Sequence, residues 1–227
     1  MTSKIRAARM DSAEREQMIV QKAVEYFAEH GFDGGTRNLA KHIGVTQSLL
    51  YRYFPTKEAL INQVYEVVYI AKWNPDWEIL LQDRTIPYES RLKTYYLEYA
   101  HIVLSDHWVR ILVFAGLKQE GLNNRLFKLL RNHIFSRVVN EFHHAYAIPE
   151  LDDEEKREIE FEMVWALHAA IFYIGMRKSV YLSGEPKNVN SLIETLVENF
   201  IVSLKHFTNI NVSENEKKKK IHTTKKN

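Results

Sequence analysis

Apolar residues recur along the chain at the three- and four-residue intervals that place them on one face of an α-helix. In the first such segment, Ile19, Ala23 and Phe27 are four residues apart and predict the buried face of a helix beginning near Asp11. No stretch alternates apolar and polar residues with β-branched enrichment, as a strand would. The spacing therefore predicts an all-α protein of about nine helices.

Near the N-terminus, the pattern predicts two short helices joined by a tight turn at Gly44. A glycine suits a turn that needs a positive φ, because it has no Cβ to clash with the backbone. Ala40 is small enough to let the second helix cross closely over the first. The segment from Thr36 to Tyr53 is therefore interpreted as a helix-turn-helix, which would follow a single amphipathic helix.

The second helix of this motif has a polar outer face once its apolar positions are turned inward. Gln47, Ser48, Tyr51 and Arg52 fall on that outer face. A helix fits the major groove of B-DNA, where Gln47 can bond an adenine edge and Tyr51 can reach a phosphate or a thymine methyl. Lys57, at the start of the next helix, is placed for a phosphate contact. The alternative is an ordinary helical turn with a solvated face.

The segment "AVEYFAEHGFDGGTRNLAKHIGVTQSLLYRYFPTKEALI" carries several of these features together. It resembles the DNA-binding domain of the TetR family of bacterial transcriptional regulators, over about residues 13–62. The matching features are the Phe27-x-x-x-Gly31-Phe32 block, Arg37, Leu39-Ala40, Gly44-Val45, Leu50-Tyr51, Tyr53-Phe54 and Lys57-x-x-Leu60. Gly35 and Leu49 depart from the family, which often has a hydroxyl residue at these places, so the operator sequence cannot be borrowed from relatives.

The resemblance implies a homodimer in which each chain contributes one DNA-binding domain and one helical domain that binds a small-molecule effector. Carried over by position, the residues implied to approach DNA are Thr36, Arg37, Gln47, Ser48, Tyr51, Tyr53 and Lys57. Arg37 would contact a base or a phosphate. The implied domains are residues 1–57 for DNA binding and 58–210 for effector binding and dimerisation. The lysine-rich tail at 211–227 has no apolar period and is predicted to be disordered.

The C-terminal helices carry wide apolar stripes and many aromatic residues. In the family, the last two helices of each subunit form a four-helix bundle across the dimer axis, and the stripe beginning at Val189 is wide enough for that. An apolar or aromatic effector is expected to bind among Tyr99, Trp108, Phe127, Trp165, His168 and Phe172. The alternative is that these residues form plain core, with His168 a hydrogen-bonded core histidine.

Composition and charge limit the classes of function that are compatible with the chain. The net charge of +2 includes a tail from Ser213 with six lysines and two glutamates, so the rest carries about −2 and any nucleic-acid contact needs a local basic patch. Cysteine is absent, and no metal, cofactor-binding or catalytic motif occurs. Neither a signal peptide nor a bilayer-spanning segment is recognised, because the apolar run at 164–176 is too short.

These observations predict a cytoplasmic TetR-like regulator, without enzymatic activity or cofactor, that represses by binding duplex DNA as a homodimer. Two alternatives stay open: an activator of the same fold, and a helical ligand-binding or scaffold protein whose DNA face is vestigial. For the tail three interpretations stay open: it adds non-specific DNA affinity by counterion release, it is only solvated, or it is a remnant of the end of translation.

Overall fold

The computed structural model describes residues 10–118, 121–149, 151 and 153–224. Within these residues every regular element is helical, which confirms the all-α prediction. Two helices are extended by π-helical segments, at Glu66–Ile70 after α4 and at Leu130–Phe135 between α8 and α9. The α-helices are α1 (Ser12–His30), α2 (Thr36–Ile43), α3 (Gln47–Tyr53), α4 (Lys57–Tyr65), α5 (Asp76–Gln82), α6 (Tyr88–Val103), α7 (Asp106–Lys118), α8 (Asn124–Leu129), α9 (Ser136–Ala145), α10 (Glu154–Ser179) and α11 (Val189–Thr224).

The chain divides into two compact units. The N-terminal unit contains the described residues up to Trp73 and the part of α7 from Arg110 onward, and the C-terminal unit contains the rest. Residue 57, where the sequence predicts the domain boundary, is the first residue of α4. Leu60 and Val64 of α4 are buried and the helix packs against α1, so α4 belongs to the N-terminal unit.

Local sequence signals account for the helix that supports the N-terminal unit. Asp11 caps α1 through its carboxylate, which accepts a hydrogen bond from the Glu14 N–H at 2.8 Å. The Glu14 carboxylate in turn accepts a hydrogen bond from the Asp11 N–H. Ile19, Ala23 and Phe27 are fully buried, as their spacing predicts. This face packs against α2 and α4, which positions the helix-turn-helix.

The C-terminal unit is built mainly on α6, α10 and α11, which pack against one another. Taken singly, α10 is long and apolar enough to cross a bilayer by length and composition alone. It nevertheless buries the polar residues Glu160 and His168 against neighbouring helices, as a core helix does. We therefore interpret α10 as the central helix of this unit.

The last helix is longer than its sequence predicted. Apolar periodicity predicts an end near Phe207 and a disordered tail from residue 211, whereas the backbone of α11 is helical through Thr224. The added segment is rich in glutamate and lysine, which have high intrinsic helix propensity even without an apolar face. A periodicity argument misses such a helix because it depends on buried residues.

Candidate functional site

The turn between α2 and α3 is made by Gly44, whose φ of 84° and ψ of 28° lie in the left-handed region. Its N–H donates to the carbonyls of Ala40 and Lys41, and the Val45 N–H also donates to the Ala40 carbonyl at 3.0 Å. These bonds satisfy carbonyls that the end of α2 would otherwise leave unpaired. A side chain at Gly44 would meet no neighbouring atom within 4 Å, so the turn requires glycine for its backbone conformation alone.

Buried apolar residues hold α3 against α2. Leu39, Ile43 and Leu50 are at most 5% exposed, and Ala40 is 2% exposed where the helices cross. Burying this seam leaves the opposite side of α3 to solvent, as predicted. The exposed residues of that side are Gln47, Ser48, Tyr51 and Arg52.

The start of α3 is fixed by a threonine cap. Thr46 Oγ1 accepts the Leu49 N–H at 3.2 Å and lies 3.1 Å from the Ser48 hydroxyl. A capped N-terminus of this kind orients the first turn of the helix, the part that meets base edges in groove-binding helices. Ser48 is therefore held by local bonding at the position expected for a DNA contact.

Thr36, the first residue of α2, joins the two helices of the motif through its hydroxyl. Its Oγ1 accepts hydrogen bonds from Gln47 Nε2 at 2.8 Å and from the Tyr51 hydroxyl at 3.1 Å. A hydroxyl oxygen has two lone pairs and can accept both bonds. Three residues that the sequence predicted as DNA contacts are thus brought together on one exposed face, which we call the Thr36 cluster.

The other residues expected to contact DNA surround this cluster in the sequence. Arg37 is exposed next to Thr36 on α2. Tyr53, at the end of α3, is half-buried, and its hydroxyl accepts a hydrogen bond from Ser12 at 3.3 Å. That bond, helped by nearby Arg52, lowers the pKa of Tyr53 from its ordinary value. The Tyr53 hydroxyl therefore ties the end of α3 to the start of α1.

Lys57 has a structural role that its sequence position did not reveal. Its Nζ donates to the backbone carbonyls of Phe32 and, at 2.8 Å, Gly34, in the loop between α1 and α2. An ammonium has three N–H donors, so these two bonds leave one for a phosphate. The phosphate contact stays a prediction. The two bonds to the carbonyls show that Lys57 also stabilises the loop preceding Thr36.

The local charge of the helix-turn-helix segment is consistent with a phosphate-binding face there. The segment 36–57 contains four lysines and arginines and no acidic residue, although the chain outside the lysine-rich tail carries a slight negative charge. Arg52 and Lys41 belong to this set, are exposed, and were not among the predicted contacts. A count of charge within the motif would have indicated them, because phosphate binding depends on local cationic density.

The residues predicted to bind an effector fall into two groups in the C-terminal unit. Tyr99, Trp165 and His168 belong to one aromatic cluster, in which the Tyr99 and His168 rings lie 4.9 Å apart; Phe127 stacks edge-on against Trp165 at 5.3 Å. Trp108 and Phe172 form a separate pair at 6.1 Å. Two clefts in this unit, one beside Arg84 and one beside His143, are lined by other residues.

His168 is bonded as a core residue. Its Nδ1 lies 2.9 Å from the Tyr96 hydroxyl and its Nε2 lies 3.5 Å from the Tyr95 hydroxyl. Complete burial lowers the pKa of His168 to about 3, so the imidazole is neutral at physiological pH. This geometry fits the alternative of a hydrogen-bonded core histidine. Within the part of the chain that the structure describes, no group of three acidic or histidine side chains is arranged to hold a metal ion.

Comparison with known proteins supports the assignment of the motif. Residues 19–64 match the family model described as bacterial regulatory proteins, tetR family. A TetR-like transcriptional regulator from Rhodococcus sp. RHA1 is 16% identical with a TM-score of 0.62, over 86% of this chain and 99% of that one. A TetR-family regulator from Bordetella parapertussis 12822 is 17% identical with a TM-score of 0.61, over 82% and 93%. One from Streptomyces coelicolor is 17% identical with a TM-score of 0.59, over 90% and 86%.

Proposed function

We propose that this chain, whose residues 19–64 match the family model of bacterial regulatory proteins, tetR family, represses transcription by binding a duplex operator as a homodimer. The observation that carries the proposal is the Thr36 cluster, which presents Gln47 and Tyr51 together on an exposed face. The cationic segment 36–57 around it supplies phosphate attraction. Catalysis and a cofactor form no part of this function, and the proposed location is the cytoplasm.

In the proposed complex, α3 lies in the major groove and the surrounding residues hold it there. Gln47 uses its amide nitrogen to bond Thr36, which leaves its Oε1 to accept from an exocyclic base amine of adenine or cytosine. Tyr51, Ser48 and Tyr53 approach the groove from the same helix, and Arg37 from α2. Phosphate contacts from Lys57 and Arg37 would fix the register without reading sequence.

The proposed dimer is supported by apolar side chains left exposed on the last two long helices. Ala166, Ala169 and Tyr173 lie at three- and four-residue intervals along one side of α10, and Tyr173 is 54% exposed. Val202 of α11 is 66% exposed. Pairing of these faces would cover them and set two copies of α3 about 34–36 Å apart, one turn of DNA.

Release by a small apolar or aromatic effector is the remaining part of the proposal. The aromatic cluster around Tyr99, Trp165 and His168 offers apolar walls and, at Phe127, a partly exposed ring that could open onto it. An effector would act by binding more tightly to a dimer state whose α3 spacing does not match DNA. Trp108 and Phe172 stay in the proposed set of ligand residues.

Operator selection from random duplexes with the full chain tests the DNA-binding proposal. We expect an inverted-repeat site, and we expect Gln47→Ala to weaken binding to it in fluorescence anisotropy at fixed salt. Gln82→Ala is the matched control, because Gln82 is an exposed glutamine in α5 of the other unit. Equal affinities for the two variants, or no enriched site, would instead favour a scaffold protein with a vestigial DNA face.

Reporter transcription from the selected site then distinguishes a repressor from an activator. Sedimentation of the chain with and without Tyr173→Glu tests the dimer, which we expect the charge at an apolar interface to dissociate. A chain that sediments as a monomer before substitution would contradict the proposed dimer while leaving DNA binding to be judged by the selection.

A further inference from the structure

A cleft of about 410 Å³ lies within the C-terminal unit, between the loop preceding α6 and the end of α9. We call it the arginine cleft. Its volume is within the range of sites for small organic ligands. The residues that matter for the argument are Arg84, Tyr88, Glu89, Arg91, His144 and Tyr146.

Two arginines of the cleft share one carboxylate. Arg84 forms a bidentate pair with Glu141 through Nε at 3.1 Å and Nη2 at 2.9 Å, and Arg91 Nη1 reaches the same carboxylate at 3.1 Å. Glu141 is 5% exposed. Burial opposes its ionisation, but the two guanidinium groups outweigh burial and lower the pKa of Glu141. The cluster therefore carries one net positive charge.

Both arginines retain donors that this carboxylate does not use. The Arg84 side chain is 54% exposed, and its Nη1 is not engaged by Glu141. The Arg91 side chain is 3% exposed, and its Nη1 also donates to the Leu81 carbonyl. Its Nε has no hydrogen-bond partner among the residues that the structure describes. The exposed edge of the Arg84 guanidinium is therefore the donor that an anion in the cleft can reach.

The backbone adds a second source of positive potential. Helix α6 is 16 residues long and begins at this cleft, and its N-cap, Pro87, makes no side-chain capping bond in the described part of the chain. The unpaired N–H groups of a helix N-terminus attract anions. Glu89, the acid of that first turn, accepts from the Tyr146 hydroxyl at 3.0 Å and lies 4.0 Å from Lys205 Nζ, so its charge is locally balanced.

Aromatic side chains form the wall beside these donors. The rings of Tyr88 and Tyr146 lie 6.0 Å apart at 82°, and Ile86 is an exposed apolar residue at the edge of the cleft. Cationic donors on one side and aromatic carbon on the other match a molecule with a carboxylate and an apolar body.

We propose that the arginine cleft binds a small organic monoanion, namely an aromatic or aliphatic carboxylate. The carboxylate bonds the outer edge of Arg84, near the start of α6, and the apolar body packs against Tyr88 and Tyr146. The single surplus charge of the arginine cluster favours a monoanion over a dianion. The residues that line this site are different from those of the aromatic cluster around His168.

Titration calorimetry of the full chain, in buffer free of carboxylate and phosphate, tests the proposal with phenylacetate and its neutral isostere phenylacetamide. We expect one saturable site that binds the acid at least about tenfold more tightly than the amide. Arg84→Gln should remove this preference, and Arg84→Lys should keep part of it. Arg131→Gln is the matched control, because Arg131 Nη2 donates to both carboxylate oxygens of Glu158 on the surface, elsewhere in the same unit.

Three results would overturn the proposal. They are equal binding of acid and amide, a preference unchanged in Arg84→Gln, and no saturable binding of phenylacetate, benzoate or hexanoate at concentrations up to about 1 mM. Thermal unfolding of each variant verifies that it is folded. Since no DNA is present, failure here is separate from failure of the operator selection.

Discussion

Replacing Thr36 with valine tests whether the Thr36 cluster positions the side chains that read DNA. The substitution keeps the branched shape of the side chain and removes only the oxygen that accepts from Gln47 and Tyr51. Gln47 is exposed and Tyr51 is 38% exposed, so both lost partners are replaced by water in the free protein. We therefore expect a change in the free energy of unfolding within about 0.5 kcal/mol.

The substitution should instead lower the affinity of the protein for DNA. Without the threonine oxygen, Gln47 and Tyr51 sample more rotamers, and the complex must immobilise them at about 0.5–1.5 kcal/mol for each side chain. We expect the affinity for the selected operator to fall by about 1–2 kcal/mol, which is roughly a 5- to 30-fold weaker complex. The number of phosphate contacts does not change, so the slope of affinity against salt should stay the same.

Fluorescence anisotropy with the selected operator measures this effect in a double-mutant cycle. The four proteins are the natural chain, Thr36→Val, Gln47→Ala and the double variant. If Thr36 acts through Gln47, its substitution costs little once Gln47 is gone, and the cycle shows coupling above about 0.5 kcal/mol.

Two results would refute the reasoning. Additive effects would mean that the Thr36 hydroxyl contacts DNA itself. Tighter binding by Thr36→Val would mean that Gln47 reads adenine with both amide atoms and must first break its bond to Thr36.

Three further predictions concern stability. Gly31→Ala should destabilise the protein by more than Gly44→Ala in urea unfolding. An alanine at either position costs about 1–2 kcal/mol for its positive φ, and at position 31 the added Cβ would also lie 2.9 Å from a carbon of the Phe114 ring; equal losses would contradict this. Burial opposes protonation of His143, but its 2.7 Å bond to Glu160 outweighs burial and raises the pKa of His143. The stabilisation from this pair is therefore present below the usual histidine pKa of about 6.5 and is lost as pH rises through the raised value. The difference in stability between the natural chain and Glu160→Gln should shrink over that range, and parallel curves of stability against pH would exclude the linkage. Lys57→Met should lower the thermal midpoint, because two loop carbonyls lose their donor and the free energy of unfolding falls by about 1 kcal/mol. An unchanged midpoint would show that these bonds contribute nothing to stability.

The sequence alone determined the fold class and the helix-turn-helix, because the signals that specify them are local. Gly44 needs a left-handed backbone, Thr46 caps the helix that follows it, and Ile19, Ala23 and Phe27 repeat at the period of a helix. Each of these depends on residues within a few positions of one another. They are visible in the sequence for that reason.

Only the tertiary structure decided which polar groups meet. Thr36 bonds residues 11 and 15 positions away, and Lys57 bonds carbonyls 23 and 25 positions away. Arg84 and Arg91 converge on Glu141 across 50 or more residues. Spacing along the chain carries no information about such contacts, since they depend on how helices cross. The same reason explains why aromatic periodicity could not show that Tyr99, Trp165 and His168 belong to one cluster.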